Sequence, residues 1–144
     1  MGHSQKGWLT SLNIYVKLMI VKKIAEGNTD FYVSDDVWEL IMSIKETGID
    51  GSVSYPLLNK FRELSAVDSF IKTRSFKAYR DEFTGITRMK WKNYRVIGFQ
   101  WDGDFIGLAH FKKNVQSLSR VQKGIVEKVF RIKRDHHWRF ENET

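Results

Sequence analysis

The segment from residue 86 to residue 113 limits the fold more than any other part of the sequence. It contains three runs rich in β-branched and aromatic residues, which read ITRMKW, YRVIGFQW and FIGLAHFKK. Lys92-Asn93 separates the first two runs. Asp102-Gly103, a dipeptide typical of tight β-hairpin turns, separates the last two. We therefore predict a three-stranded antiparallel meander over residues 86–113.

The elements outside the meander predict the fold class. Residues 12–24 are rich in Ile, Val and Tyr and predict a strand, whereas Ser34 and Ser54 predict the N-caps of two helices, the first ending near residues 48–51. Ser119 predicts the cap of a last helix, whose apolar stripe comprises Val121, Ile125, Val129 and Ile132. This order predicts an α+β domain in which helices pack on one face of an antiparallel sheet, formed by the meander and the N-terminal strand.

One domain is expected for the whole chain of 144 residues, of which 42% are hydrophobic. Residues 1–11 are expected to form a loose N-terminal arm and residues 138–144 a tail. Residues 65–84 mix aromatic and basic side chains, and the pattern fits a short helix, a flap or both.

Several classes of site are excluded or disfavoured. The chain has no cysteine, which excludes disulfides and thiolate metal sites. Asp102 and Asp104 are explained by a turn, and His136-His137 by an exposed tail, so no metal site is expected. No apolar run approaches the roughly 20 residues that span a membrane, and we expect a cytoplasmic protein.

Positive charge is concentrated in the second half of the chain. The net charge is +7, but residues 1–71 contain 7 Lys/Arg against 9 Asp/Glu, whereas residues 72–139 contain 17 against 6. A basic segment of this size is typical of proteins that bind polyanions, and nucleic acid is the expected partner.

The first meander strand alternates cations with apolar residues. Met89 and Trp91 are predicted to face a core, while Arg88 and Lys90 project from the opposite face. Neighbouring strands lie about 4.8 Å apart, so basic residues of all three strands can converge. Those of the other two strands are Arg95, His110, Lys112 and Lys113. We therefore expect a concave cationic face that carries one imidazole.

In these residues the chain resembles the RelE/HigB superfamily of toxins from toxin–antitoxin systems, including its phage-derived HigB-like branch. The similarity rests on RMKWKNYRV followed by DGDFIGLAHFKKNVQSLS, and it extends more loosely over residues 31–134. It implies a RelE-like fold and an mRNA interferase, which cleaves mRNA in the ribosomal A site without a metal or other cofactor. It also implies a cognate antitoxin, expected to be of the helix-turn-helix type.

The resemblance also implies roles for individual residues. By motif position, the family's basic cluster corresponds to Arg88, Lys90, Arg95 and Lys113. The tyrosine that some members carry near the last helix is absent from NVQSLSRVQ, so His110 or a lysine would take the acid–base role. Other basic residues are expected to bind RNA: Lys72, Arg74, Lys77, Arg80, Lys92 and Lys112. Residues 65–84 form an insertion relative to the family.

Two other functions fit the same sequence. A non-catalytic regulator could use the same basic sheet to bind RNA or DNA, and a degenerate relative of these toxins could serve as an interaction protein. Cleavage of RNA separates the toxin from both.

Overall fold

A computed structural model of the chain describes residues 18–113 and 118–142. In this part of the chain the elements follow the order β1 (Met19–Ala25), β2 (Phe31–Ser34), α1 (Asp35–Ser43), β3 (Glu46–Thr47), β4 (Val53–Ser54), α2 (Pro56–Ser65), β5 (Phe76–Ala78), β6 (Thr87–Trp91), β7 (Tyr94–Trp101), β8 (Asp104–Lys112), α3 (Arg120–Arg134) and β9 (Trp138–Phe140). The predicted α+β class is confirmed. None of the described helices is long and apolar enough to cross a membrane.

Seven strands form one sheet in the order β5-β6-β7-β8-β2-β1-β9. Neighbours are antiparallel except for the pairs β2–β8 and β1–β9, which are parallel. The predicted meander is present as β6, β7 and β8. Its second turn has positive φ at both Asp102 (51°) and Gly103 (85°), as a two-residue hairpin of the type I′ family requires.

Apolar side chains cover both faces of the sheet, which corrects the prediction that the helices pack on one face. On one face α1 and α2 pack over a core that contains Phe31, Met89, Val96 and Phe105. On the other face α3 packs over a second core, with Ile97, Phe99, Ile106, Leu108 and Phe111 from the sheet and Ile86 from the residue before β6. The inner strands β7 and β8 are apolar on both faces, so each face needs a helical cover. We call these faces the α1–α2 face and the α3 face.

Two of the three predicted helix caps are confirmed. Ser34 accepts a hydrogen bond from the Val37 N–H at 3.4 Å, and Ser119 forms a capping box with Gln122. Ser54 does not cap α2, because it pairs in the short β3–β4 hairpin and Tyr55 occupies the N-cap position. α1 ends at Ser43, ahead of this hairpin and before the glycines that were expected to end it.

The stripe predicted for α3 is correct only in its second half. Val129 and Ile132 are buried as predicted and are joined by Val126, whereas Ile125 is partly buried and Val121 is 73% exposed. Val121 lies in the first turn of α3, so burial begins only where later turns pack on the sheet.

Two segments differ from their predicted roles. Trp138–Phe140, predicted as part of a tail, forms β9, which pairs with β1 and buries Trp138. The segment 65–84 contains two short 3₁₀ helices, Phe70–Lys72 and Asp81–Phe83, as the short-helix alternative expected, and between them the edge strand β5, which was not predicted. In this segment Phe70 and Phe76 pack against Phe31 with ring centroids 5.4 and 6.1 Å away. The predicted N-terminal strand begins at Met19 in the described part; its residues 12–17 and the predicted arm lie outside that part.

Candidate nucleic-acid interface

Strand pairing places four cations together on the α3 face. Lys77 of β5 pairs with Arg88 of β6, and Lys90 of β6 pairs with Arg95 of β7. Arg95 in turn pairs with Phe111, a member of the core beneath α3. Directly paired residues project from the same face, so all four cations share the α3 face.

Lys113 is the fifth member of this group. It follows β8, and its backbone N–H donates a hydrogen bond to the carbonyl of Asn93 at 2.7 Å. Burial, and then the charges of the other four cations, lower the pKa of Lys113 below its ordinary value of 10.5. We call the five residues the cationic cluster: Lys77, Arg88, Lys90, Arg95 and Lys113.

Backbone carbonyls hold the two arginines of the cationic cluster. Arg88 Nη1 donates to the Ser75 carbonyl at 3.3 Å, and Arg95 Nη1 donates to the carbonyls of Lys92 and Tyr94, each at 3.0 Å. Burial lowers the pKa of both guanidinium groups. Across residues 18–113 and 118–142, none of the ion pairs involves a member of the cationic cluster.

Met89 fixes which way the cations of β6 project. Its side chain is fully buried in the core of the α1–α2 face, so its neighbours Arg88 and Lys90 must lie on the α3 face. A slip of one residue would expose Met89 and bury both cations. The predicted separation of apolar from basic residues along this strand is confirmed, and Trp91 packs partly buried beside Met89.

His110 and Lys112 project from the opposite face, which corrects the expectation that all three strands contribute to one basic surface. His110 pairs with Val96, and Lys112 pairs with Tyr94; Val96 belongs to the α1–α2 core. His110 lies near α1, where burial lowers its pKa while the charges of Asp36 and Glu39 act in the opposite direction.

A β-bulge explains the position of His110. From the Asp102-Gly103 turn, the strands pair regularly as far as Gly98 with Gly107. The register then shifts, and the next pair is Ile97 with Ala109, leaving Leu108 as an extra residue in β8. Without this shift, Arg95 would pair with His110, and the imidazole would lie beside the cationic cluster.

The remaining residues expected to bind RNA are divided between the cluster and its surroundings. Lys77 is part of the cationic cluster. Lys92 lies in the β6–β7 turn, with Nζ 4.7 Å from the centroid of the Trp91 ring. Lys112 Nζ lies 5.3 Å from the Tyr94 ring centroid. The others are exposed on the segment around β5, and their side chains form no hydrogen bond or ion pair with another described residue: Lys72, Arg74 and Arg80.

Tyr79 belongs to this site although the sequence analysis did not assign it a role. Its backbone N–H donates to the Ile86 carbonyl at 2.8 Å and extends the pairing of β5 with β6. Two residues after Lys77, it projects from the same face. Burial raises the pKa of Tyr79, and the charges of Arg88 and Arg95 oppose that shift. The alternation in FKAY would have indicated it, had residues 76–79 been recognised as a strand.

The cationic cluster is an open surface at the end of the sheet and is separate from a cleft of about 460 Å³ elsewhere in the described part. That cleft lies between β1, α1 and α3, and Asp35, Asp36, Glu127 and Asp135 line it beside its cations. Its carboxylates disfavour phosphate, whereas the cluster has none as partners. No group of three described His, Asp or Glu residues is arranged to hold a metal ion.

No protein-family model matches the chain, and no curated protein matches it significantly. The fold class and the cationic cluster therefore rest on the structure itself, and the function has to be argued from the site.

Proposed function

We propose that the protein is an mRNA interferase of the RelE/HigB type, the toxin of a toxin–antitoxin system, with a RelE-like fold. The observation that carries this proposal is the cationic cluster, in which five cations, from β5, β6, β7 and the residue after β8, lie together without a carboxylate partner among the described residues. Such a group is electrostatically unfavourable until a polyanion binds, and RNA phosphates are ligands that match it. Four of the five cations are those that the sequence resemblance assigned to the family's basic cluster.

The proposed chemistry is cleavage by the neighbouring 2′-hydroxyl group. Its oxygen bonds to phosphorus as the bond to the 5′-oxygen breaks, leaving a 2′,3′-cyclic phosphate and a free 5′-hydroxyl. Lys113 accepts the 2′-proton in its neutral form, which its lowered pKa makes more available. Arg88 and Arg95, held by backbone carbonyls, stabilise the charge that develops on the phosphorane oxygens. His110 takes no part because it projects from the other face.

The proposed partners are mRNA on the ribosome and a cognate antitoxin of the helix-turn-helix type. A single-stranded segment of that mRNA can reach the cationic cluster because the cluster is an open surface. The ribosome would present a single codon in an unstacked form, which is the state in which proteins read RNA most readily.

Induced expression tests this function. The wild-type chain should arrest growth and produce mRNA 5′ ends at positions phased with codons. Lys60→Gln should arrest growth as wild type does, because Lys60 pairs with Glu63 at 3.5 Å on α2, which packs on the α1–α2 face, opposite the cationic cluster. Normal growth with confirmed folded protein, and no new 5′ ends, would overturn the proposal.

A non-catalytic regulator that binds RNA or DNA is the second candidate, because unpaired cations attract any polyanion equally well. It predicts the same salt-dependent binding but no cleaved RNA. An interaction protein derived from such toxins predicts neither cleavage nor appreciable affinity for RNA.

A further inference from the structure

Among the described residues, Tyr79 carries a phenol group whose pKa is affected by both arginines of the cationic cluster. It lies on the α3 face next to the pairing of Lys77 with Arg88, and the charges of Arg88 and Arg95 both act on its hydroxyl group. Its ring packs against the core of the α3 face, with its centroid 6.3 Å from the centroid of the Phe83 ring. The ring is therefore fixed by packing on the face of the sheet that carries the cationic cluster.

The Tyr79 hydroxyl group has no hydrogen-bond partner in the described part of the chain. Burial raises the pKa of Tyr79 above its ordinary value of 10.0, even against the two neighbouring positive charges. The phenol therefore stays protonated at neutral pH. A protonated donor with no partner, on the same face as cations that bind an anion, is free to donate its hydrogen bond to that anion.

The three cluster residues with an assigned role in the reaction, Arg88, Arg95 and Lys113, do not supply both proton transfers that RNA cleavage requires. The arginines are too weakly acidic to release a proton readily, and Lys113 is already assigned to the 2′-hydroxyl group. The 5′-oxygen leaves as a strongly basic alkoxide unless an acid protonates it. His110, the imidazole expected to help, is on the other face.

We propose that Tyr79 is the general acid of the site and protonates the leaving 5′-oxygen of a bound RNA phosphodiester. This inference rests on the proposed function. As the bond between phosphorus and the 5′-oxygen breaks, the Tyr79 O–H proton moves to that oxygen and the electron pair of the O–H bond stays on the phenolate. Arg88 and Arg95 stabilise the phenolate until water returns the proton.

A sulfur substitution tests this step. In an RNA whose scissile 5′-oxygen is replaced by sulfur, the leaving thiolate departs without an acid. Single-turnover cleavage should be measured on the oxygen and sulfur RNAs, each in the ribosomal A site, with wild type and Tyr79→Phe. The phenylalanine keeps the ring and its contact with Phe83. Tyr32→Phe is the matched control, because Tyr32 also has a raised pKa but lies near Lys23 and Asp30.

Tyr79→Phe should slow cleavage of the oxygen RNA by about 10²–10⁴-fold, the usual contribution of an acid or base, and of the sulfur RNA by less than about 10-fold. Tyr32→Phe should change neither rate. The comparison is a ratio within one preparation, so a reduced folded fraction cancels.

Equal slowing on both RNAs would overturn the acid role and leave Tyr79 as a packing or binding residue. No slowing on either RNA would overturn any role in the reaction. These outcomes leave the proposed function standing, because wild type still cleaves. If wild type cleaves neither RNA, the proposed function itself fails, and the acid role fails with it.

Discussion

Lys90→Gln should make the folded protein more stable and its binding to RNA weaker. Lys90 and Arg95 are directly paired across β6 and β7, one of two such like-charge pairs in the cationic cluster; the other joins Lys77 and Arg88. Like charges placed directly opposite each other destabilise a sheet by roughly 0.2–1 kcal/mol. The Lys90 side chain is exposed and forms no hydrogen bond with a described residue, so the change to glutamine removes the charge without removing a contact.

The expected gain in the free energy of unfolding is near the middle of that range, because solvent screens the charges of an exposed pair. About 0.5 kcal/mol corresponds to a rise in Tm of about 1–2 °C for a chain of this size. Melting curves at low salt should show this rise, and it should nearly vanish at 1 M salt, where the screening length falls to about 3 Å. The affinity for single-stranded RNA should fall at low salt.

Lys60→Gln provides the matched control for loss of one positive charge. Lys60 forms an ion pair with Glu63, so its replacement should leave Tm unchanged or slightly lower. A lower Tm for Lys90→Gln, or unchanged RNA affinity at low salt, would refute the argument that the cluster holds unfavourable charge for the sake of a polyanion.

Three further predictions follow from the register and the charges. First, burial lowers the folded pKa of His110 below 6.5, so the unfolded chain binds more protons than the folded chain as pH falls below that value, and wild type should lose stability towards acid. In denaturant titrations His110→Gln should reduce this loss of stability, and it should leave the rate of RNA cleavage unchanged. Slower cleavage by folded His110→Gln would contradict the position of His110 outside the site. Second, Gly98→Ala should destabilise the fold by about 3 kcal/mol or more, because the new Cβ would lie 1.8 Å from the Ile106 carbonyl oxygen. Gly124→Ala, whose new Cβ meets no atom within 4 Å, should instead stabilise α3 by up to about 1 kcal/mol. Equal melting temperatures for the two variants would contradict the close backbone approach at the bulge. Third, if all five cluster cations contact phosphates, the slope of log affinity for single-stranded RNA against log salt should be about −3.5, and a flat titration would exclude phosphate contacts.

Local signals were enough to predict the meander. Alternation placed Met89 in a core and Arg88 and Lys90 on the other face, and Asp102-Gly103 placed the hairpin turn. Both signals act between residues close in sequence, so they survive whatever surrounds them. The caps at Ser34 and Ser119 were predictable for the same reason.

The position of His110 was not predictable from alternation alone, because one extra residue in β8 reverses every side chain beyond it. The sequence did contain a signal. Gly98 and Gly107 fall opposite each other in adjacent strands, and glycine inside a strand often marks a bulge or a close backbone approach.

Long-range pairing accounts for the other differences. Residues 138–140 form the strand β9 because they pair with the edge of β1, and residues 76–78 form β5 because they pair with β6. Their short sequences carry little preference of their own, so WRF was predicted as a tail and FKAY was left unassigned. Tyr79 was missed in consequence, since its place beside Arg88 depends on the pairing of β5 with β6.

Single-turnover cleavage of mRNA in the ribosomal A site by Arg95→Ala tests the central claim most directly. Arg95 pairs with Lys90 across β6 and β7, and its charge acts to lower the pKa of Lys113 and of Tyr79. Its guanidinium group donates hydrogen bonds to the carbonyls of Lys92 and Tyr94. If it stabilises charge in the transition state, its loss should slow cleavage by about 10²-fold, or about 3 kcal/mol, and weaken RNA binding far less. Undiminished cleavage by folded Arg95→Ala would contradict the assignment of the cationic cluster as the active site.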